Sequence, residues 1–275
     1  MNVGGARWMG CAAALLTAAG AVQAGCSRAI EVPMAPIGLS VSFDGERAGG
    51  LYPTLLRELT AATGCEFAVQ RVPRARLQKM FESGQADLLL PASASPSREG
   101  DGEFVPLIQV RASLLTLAAR DAAVPHSLAE LVATPGYKLA IVRGFSFGTA
   151  YEQTVEKLRQ QRRLIEESDP AGVARALQLG LAQGSVMTAS IFIGTLVKET
   201  PLAPLIKQTR VEPLEELGWS ESGVYLSRHS LPEADRRTLR AAFAQTARTG
   251  RVWQLFNDTH PAGSLGGSIK PLAAP

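Results

Sequence analysis

An alternation of short apolar runs with amphipathic stretches constrains this chain more than any other feature of its sequence. Ala29–Met34 reads as a strand. Pro53–Thr63 then carries Leu55, Leu56, Leu59 and Ala62, with Leu51 just ahead, on one helical face. Pro53 suits a first helical turn and Gly64 suits a stop. Glu66–Val72 is again strand-like, and Arg74–Ser83 repeats the helical scheme with Leu77, Met80 and Phe81 before Gly84. Asp87-Leu88-Leu89-Leu90 is a continuous apolar run, as in a strand covered on both faces. Residues 29–92 therefore read β-α-β-α-β, with right-handed crossovers. The pattern returns further on: Lys138–Val142 as strand, Gly148–Gln161 as helix, and Pro170–Leu181 as helix with Val173, Ala176, Leu177 and Leu181 at helical spacing. Val186–Ala189 follows as strand and Ile191–Lys198 as helix. Gly223–Ser227 reads as a strand and Pro232–Arg248 as a helix with Leu239, Ala242 and Phe243 inward. Trp253–Phe256 forms a last amphipathic turn. Residues 264–275 end a stretch rich in Pro, Ala, Gly and Ser, and are expected to be a loose tail.

Composition narrows the class. A chain of 275 residues that is 46% hydrophobic and 19% charged is ordinary globular material, enough for two small domains. The formal charge of +3 is not gathered into a dense basic tract, so no nucleic-acid partner is expected. The first 24 residues read as an export leader: an apolar, small-residue run, Trp8 to Ala21, ends at Val22-Gln23-Ala24, with small residues on both sides of the −2 position of a cut after Ala24. No later apolar run reaches the ~18–20 residues of a spanning helix. The expected location is therefore the periplasm, as a soluble chain. Cys11 falls in the leader, leaving Cys26 and Cys65. Two thiols in an oxidising compartment usually pair. If the strands that follow them are parallel neighbours, both cysteines stand at the same end of the sheet. Acylation of Cys26, or two unpaired buried thiols, are the alternatives.

Several segments, in order, carry a resemblance. They are Gly50-Leu51-Tyr52-Pro53-Thr54-Leu55-Leu56-Arg57-Glu58-Leu59 with Thr63-Gly64-Cys65-Glu66-Phe67; Met80-Phe81-Glu82-Ser83-Gly84-Gln85-Ala86-Asp87-Leu88; Ser95-Pro96-Ser97-Arg98 with Phe104-Val105-Pro106-Leu107; and Gly223–Ser227 with the helix running to Gly250. Over nearly all of residues 27–260 the chain resembles periplasmic solute-binding proteins of the extracellular amino-acid-binding type, family 3-like. The resemblance implies an α/β, two-lobed Venus-flytrap architecture, the type 2 periplasmic-binding-protein fold. Lobe 1 would comprise residues 25–115 and 222–263, and lobe 2, residues 116–221, would be inserted into it. Two extended crossings would lie near Leu114–Ala119 and Glu212–Ser222. Small ligands would bind between the lobes at the carboxyl ends of the strands, where open α/β sheets generally hold them.

The residues with chemistry to offer fall on the loops of that plan. Arg98 follows the third strand of lobe 1, and in matching family members this arginine holds the ligand carboxylate. A planar guanidinium binds a carboxylate through two parallel hydrogen bonds, which a lysine cannot copy. The competing reading pairs Arg98 with Glu99 or Asp101 at the surface. Ser93 and Ser95 share its loop and could complete the anion site. In lobe 2, Arg143-Gly144-Phe145-Ser146-Phe147-Gly148-Thr149 lies between a strand and a helix, and the family closes on ligand with this loop. Gly144, Ser146 and Phe147 are the candidates there, since glycines let backbone amides approach and a helix start favours negative charge. The alternative is a plain helix start capped by Ser146 or Thr149. Tyr52 and Phe145 could wall the pocket. Of Arg74 and Arg76, at i and i+2, at most one faces the cleft.

One departure from the family matters. Its amino-acid binders place an aspartate late in lobe 2 for the ligand ammonium, whereas Gly184–Gly194 contains no acid. Thr188 or Ser190 could accept a hydrogen bond but supplies no charge, and Asp169 reads as a helix N-cap before Pro170. The expected ligand is thus a small carboxylated solute rather than a standard α-amino acid. His126, His229 and His260 are scattered without metal spacing, and neither a Gly-x-Ser-x-Gly elbow nor a phosphate-binding loop occurs, so no cofactor, metal or catalytic group is expected. The function expected is that of a non-enzymatic, monomeric binding protein serving an ABC-type transporter. The alternatives are a sensory module for a signalling partner and a dehydratase-like enzyme on the same scaffold, for which Glu212, Glu215, Glu216 and Glu221 near the second crossing would be the acids.

Overall fold

A computed structural model describes Met1 and residues 25–118 and 124–272. Apart from Met1, the expected leader lies outside the described residues. In chain order the elements are β1 (Ile30–Met34), β2 (Ser42–Asp44), β3 (Arg47–Gly49), α1 (Leu51–Thr63), β4 (Phe67–Arg71), α2 (Arg74–Glu82), β5 (Leu88–Ser93), β6 (Gly102–Val110) and β7 (Ala112–Leu117). There follow α3 (Leu128–Ala133), β8 (Leu139–Val142), α4 (Thr149–Gln160), β9 (Leu164–Glu167), α5 (Pro170–Leu179), β10 (Gly184–Thr188), α6 (Ala189–Lys198) and β11 (Thr209–Pro213). The chain ends with β12 (Ser220–Ser227), α7 (Glu233–Arg248), α8 (Arg251–Thr259) and β13 (Ile269–Lys270).

Two bodies result. In the first, β1 and β4 pair in parallel, and β5, β12, β6 and β13 form an antiparallel group. The two groups meet where the Asp87 N–H donates to the Glu31 carbonyl at 2.9 Å. Asp87 is 1% exposed. Its carboxylate accepts both Arg28 guanidinium nitrogens, at 2.5 and 2.8 Å, and the Glu31 amide at 2.8 Å. Leu55, Leu56 and Leu59 of α1 pack with Leu239 and Phe243 of α7 and with Val252 and Phe256 of α8. α1 starts at Leu51, two residues before the expected Pro53, because Gly50 supplies a φ of 97° where a Cβ would stand 2.6 Å from the Leu39 carbonyl oxygen. Gly64 closes the helix in the left-handed conformation at φ 74°. Cys26 and Cys65 are bridged, and β1 and β4 are the parallel neighbours that bring them together.

The second body is a five-stranded sheet in the order β11-β7-β10-β8-β9, with β7 antiparallel to both of its neighbours. Its faces are covered by α5 and α6 through Val173, Leu177, Phe192 and Ile193, and by α4 through Tyr151, Val155 and Leu158. Asp169 caps α5, accepting the Gly172 N–H at 2.8 Å. Gly180 ends α5 in the left-handed conformation, and the chain turns away there, so Leu181, expected inward, is 53% exposed.

The crossings fall slightly outside the expected limits. β7 lies wholly in the second sheet, so the first crossing is at Arg111 rather than beyond 115. On the return, Ser220 and Glu221 already pair with Val110 and Gln109 of β6. A larger correction concerns residues 264–275. Over 264–272 they are not a loose tail. Leu265 and Ile269 are buried in the first core, Ser268 is 1% exposed, and β13 pairs with β6. The Arg111 N–H donates to the Ser268 carbonyl at 2.8 Å. The edge of β6 supplies the partner that a short Gly- and Ser-rich stretch lacks by itself. No helix among the described residues is long and apolar enough to cross a membrane.

Candidate functional site

A cavity of about 610 Å³ opens between the two bodies. It lies at the carboxyl ends of strands from both. Pro91, Ala92 and Ser93 close β5, the loop after β8 supplies Gly144 to Gly148, and Thr188 and Ser190 stand where β10 turns into α6. This is the place the strand polarity of an α/β sheet assigns to a ligand.

Arg98 lines the cavity from a short 3-10 turn, Pro96–Arg98. Its Nε–H donates to Gln78 Oε1 at 2.7 Å, and Nη1 donates to the Ser93 carbonyl at 3.1 Å. The guanidinium carbon sits 6.0 Å from the Tyr225 ring centroid. Neither acid proposed as its surface partner takes it. Asp101 pairs with His229 Nε2 at 2.9 Å, and among the described residues Arg98 makes no ion pair. Two of its five N–H groups are thus used to fix the plane of the head, leaving Nη2 and the second Nη1 hydrogen along one edge.

Arg74 and not Arg76 reaches the same cavity, from the first turn of α2. Its guanidinium lies 6.0 Å from the Phe145 ring centroid, across the cleft. Desolvation by the cleft walls, and then the charge of Arg98, hold its pKa below the ordinary arginine value. An arginine still stays charged at any physiological pH. Tyr52 lies at the floor, 1% exposed and edge-on to Phe256 with ring centroids 6.3 Å apart. Burial pushes its hydroxyl up to about 12, partly offset by a hydrogen bond with Ser222.

From the second lobe come Gly144, Phe145, Ser146, Phe147 and Gly148. Gly144 and Gly148 have φ of 80° and 95°, with nothing within 4 Å of a built Cβ, so conformation rather than space calls for glycine. Gly148 is the N-cap of α4 and Thr188 that of α6, and neither helix has a side-chain cap. Ser146 does not cap α4 either; its Oγ donates to Glu152 Oε1 at 2.6 Å. Phe147 stacks edge-on with Phe145 and Tyr151, at 6.1 and 5.1 Å.

Ser95 is the sequence-derived candidate that the cavity leaves out. Its N–H donates to the Tyr225 hydroxyl at 2.8 Å, its carbonyl accepts from that hydroxyl at 3.1 Å, and its Oγ pairs with Ser97 Oγ at 2.8 Å. It anchors the Arg98 loop instead of facing the ligand space. None of Glu212, Glu215, Glu216 and Glu221 lines the cavity. Glu215 pairs with Arg111 at 3.2 Å, and Glu216 accepts the Leu128 N–H at 2.9 Å.

Sequence reasoning missed Gln78, Ser222 and Phe256, which also line the cavity. Gln78 had a usable signal, since it stands four residues after Arg74 on one helical face. Also missed was His260, 5% exposed, which ties α8 to α6: Nδ1 lies 2.9 Å from the Phe256 carbonyl and Nε2 lies 3.3 Å from the Ser190 carbonyl. Burial holds its pKa below the ordinary value although both carbonyls favour the charged form.

No protein-family model matches the chain, and no curated protein does. Solved structures do. The GluR0 ligand-binding core in complex with L-glutamate aligns with a TM-score of 0.63 at 13% identity, over 86% of this chain and 100% of that one. The ancestral amino-acid-binding protein AncCDT-1, a precursor of cyclohexadienyl dehydratase, aligns at 0.62 and 15% identity over 85% and 95%. A histidine kinase sensor domain with similarity to periplasmic binding proteins aligns at 0.60 and 17% identity over 85% and 98%. The chain has the two-lobed α/β fold of type 2 periplasmic binding proteins, as its sequence motifs implied.

Proposed function

We propose that this chain is a periplasmic binding protein that captures a small carboxylated solute in the inter-lobe cleft and delivers it to an ABC-type membrane transporter. The observation that carries this reading is Arg98: a guanidinium on the cavity wall, oriented by Gln78 and Ser93, with no ion pair among the described residues and one edge uncommitted. That edge matches a carboxylate. The Cys26–Cys65 bridge suits an oxidising compartment. The two narrow crossings let the lobes rotate as bodies around what they bind. A sensory role is the second reading, favoured by the likeness to a kinase sensor domain; capture would be the same and the partner different. Turnover is the less supported alternative, because the described cavity lining holds no Asp, Glu, His, Cys or Lys to move a proton.

The test is a thermal-shift panel of carboxylates, amino acids, amines and small peptides, followed by titration calorimetry. Arg98→Ala should weaken a confirmed carboxylate by roughly 30- to several-thousand-fold, and Arg98→Lys should recover only part of that. An affinity for Arg98→Ala within about twofold of wild type would place the anchor elsewhere.

A further inference from the structure

The charged side chains of the cavity lining are of one sign. Among the described residues its charged side chains are Arg74 and Arg98, both on the first-lobe wall, and no acid lines it. Among the described residues neither arginine has a carboxylate partner, and Arg74 forms no hydrogen bond either. Glu152 stands behind the second-lobe wall but outside the lining, with its Oε1 engaged by Ser146. Two like charges held within mutual influence in a partly dry cleft repel each other, and the repulsion is relieved only when anions arrive. The opposite wall adds no negative charge. It contributes Gly148 and Thr188, the N-caps of two helices without side-chain caps, whose dipoles have the same sign as the arginines. Between the polar ends run apolar surfaces, including Leu77, Phe145, Phe147 and Leu217.

We propose, resting on the carboxylate reading above, that the cleft selects solutes with two anionic groups on an apolar body and no ammonium, Arg98 taking one group and Arg74 the other. A monocarboxylate satisfies one arginine and leaves the second unpaired. An α-amino acid brings a cation into a wall-to-wall positive field with no carboxylate to receive it. A second anionic group, by contrast, converts the unpaired guanidinium into a charge-assisted contact.

The experiment uses the whole exported chain and probes of matched skeleton: glutarate, butyrate, 4-aminobutyrate and L-glutamate, with phthalate against benzoate as the aromatic pair and inorganic phosphate as a compact dianion. Affinities are measured by calorimetry at pH 7.5 on wild type, Arg98→Ala, Arg74→Ala and Arg74→Gln, with circular dichroism to confirm folding. Arg74→Gln keeps the side-chain length if the alanine variant folds poorly. Dicarboxylates should bind at least about tenfold tighter than their monocarboxylate partners, and the amino acids should be weakest. Either Arg74 variant should weaken glutarate or phthalate by a clearly larger factor than butyrate or benzoate, erasing most of the dicarboxylate advantage. L-glutamate or 4-aminobutyrate binding as tightly as glutarate overturns the proposal. So does an Arg74 variant that weakens mono- and dicarboxylates equally. Phosphate binding more tightly than either dicarboxylate would mean both arginines clasp one group, and overturns the two-group arrangement. Equal affinity for mono- and dicarboxylates, lost in Arg98→Ala, sinks this inference and leaves the carboxylate reading standing. Failure of every carboxylate to bind sinks both.

Discussion

The charge on the first-lobe face of the cleft is carried by side chains, whereas on the second-lobe face it comes from backbone dipoles. Arg74, Gln78, Arg98, Tyr52 and Ser93 project from α1, α2, β5 and the turn after it. The Tyr225 hydroxyl on the Ser95 backbone braces the Arg98 loop, while the Asp87–Arg28 pair and the Cys26–Cys65 bridge tie the far ends of β5, β1 and β4. The opposite face offers Gly144, Gly148 and the starts of α4 and α6. A charged head needs a fixed rotamer, which the Gln78 and Ser93 contacts give Arg98. Amide dipoles are fixed by the helix itself and need no such bracing. The contrast suits a cleft in which one face sets the chemistry and the other closes on it.

Removing the bridge tests the bracing most severely. In the chain-entropy account, a bridge closing a sequence separation of 39 adds about 4 kcal/mol of stability. A Cys26→Ser, Cys65→Ser double variant should lose about that much in guanidinium unfolding. Ligand affinity of the still-folded fraction should stay within about twofold of wild type, because the bridge lies behind the face and not on it. An unchanged unfolding midpoint would remove the bridge from the account of first-lobe stiffness.

The Asp87 cluster is the next test. Asp87→Asn breaks the charge-assisted hydrogen bonds to Arg28, whose guanidinium stays half-exposed and hydrated, and should cost about 2 kcal/mol. The pH dependence has a definite sign. Burial alone would raise the Asp87 pKa, but hydrogen bonds from Arg28, Ser230 and the Glu31 amide outweigh it and hold the group below its ordinary value. A depressed carboxylate stabilises the fold fully above its unfolded pKa, near ~4, and loses that contribution as pH falls through the folded value. Thermal melts between about pH 3 and 7 should show wild type falling steeply below about pH 4 and Asp87→Asn falling less. Parallel curves would detach the cluster from acid stability.

The smallest effect is expected on the backbone face. Gly148→Ala meets open space, so its cost is purely conformational, about 1–2 kcal/mol for forcing φ of 95° on a side-chain-bearing residue. Affinity for a confirmed carboxylate should drop only a few-fold, far less than for Arg98→Ala. A larger loss would mean that the second face contributes chemistry and not merely closure.

Much of this was legible because local signals and tertiary outcome agreed. Gly64 stops its helix where the sequence places the stop, Asp169 caps before Pro170, and the cysteines stand before strands that pair in parallel. Arg98 was legible because loop position after a strand already implies a cleft rim. What stayed hidden depended on partners distant in sequence. Nothing within residues 264–272 announces that β6 has an open edge to receive β13. Ser95 and Ser93 look alike until Tyr225, far along the chain, claims one of them. Arg74 and Arg76 could not be separated by periodicity until the packing of α2 fixed its rotation.

The docked end of the chain changes what kind of joint this is. Two strands running side by side between two masses allow bending and torsion alike. The C-terminal segment adds a third chord at the same level: Ser268 holds Arg111 at one crossing, Lys270 lies 4.2 Å over the ring of Trp219 at the other, and Gly266 abuts Val211 of the second sheet closely enough that a Cβ would stand 2.5 Å from it. A third line of contact beside the two crossings opposes twisting between the bodies more than it opposes bending, as a pinned door differs from one hung on cords.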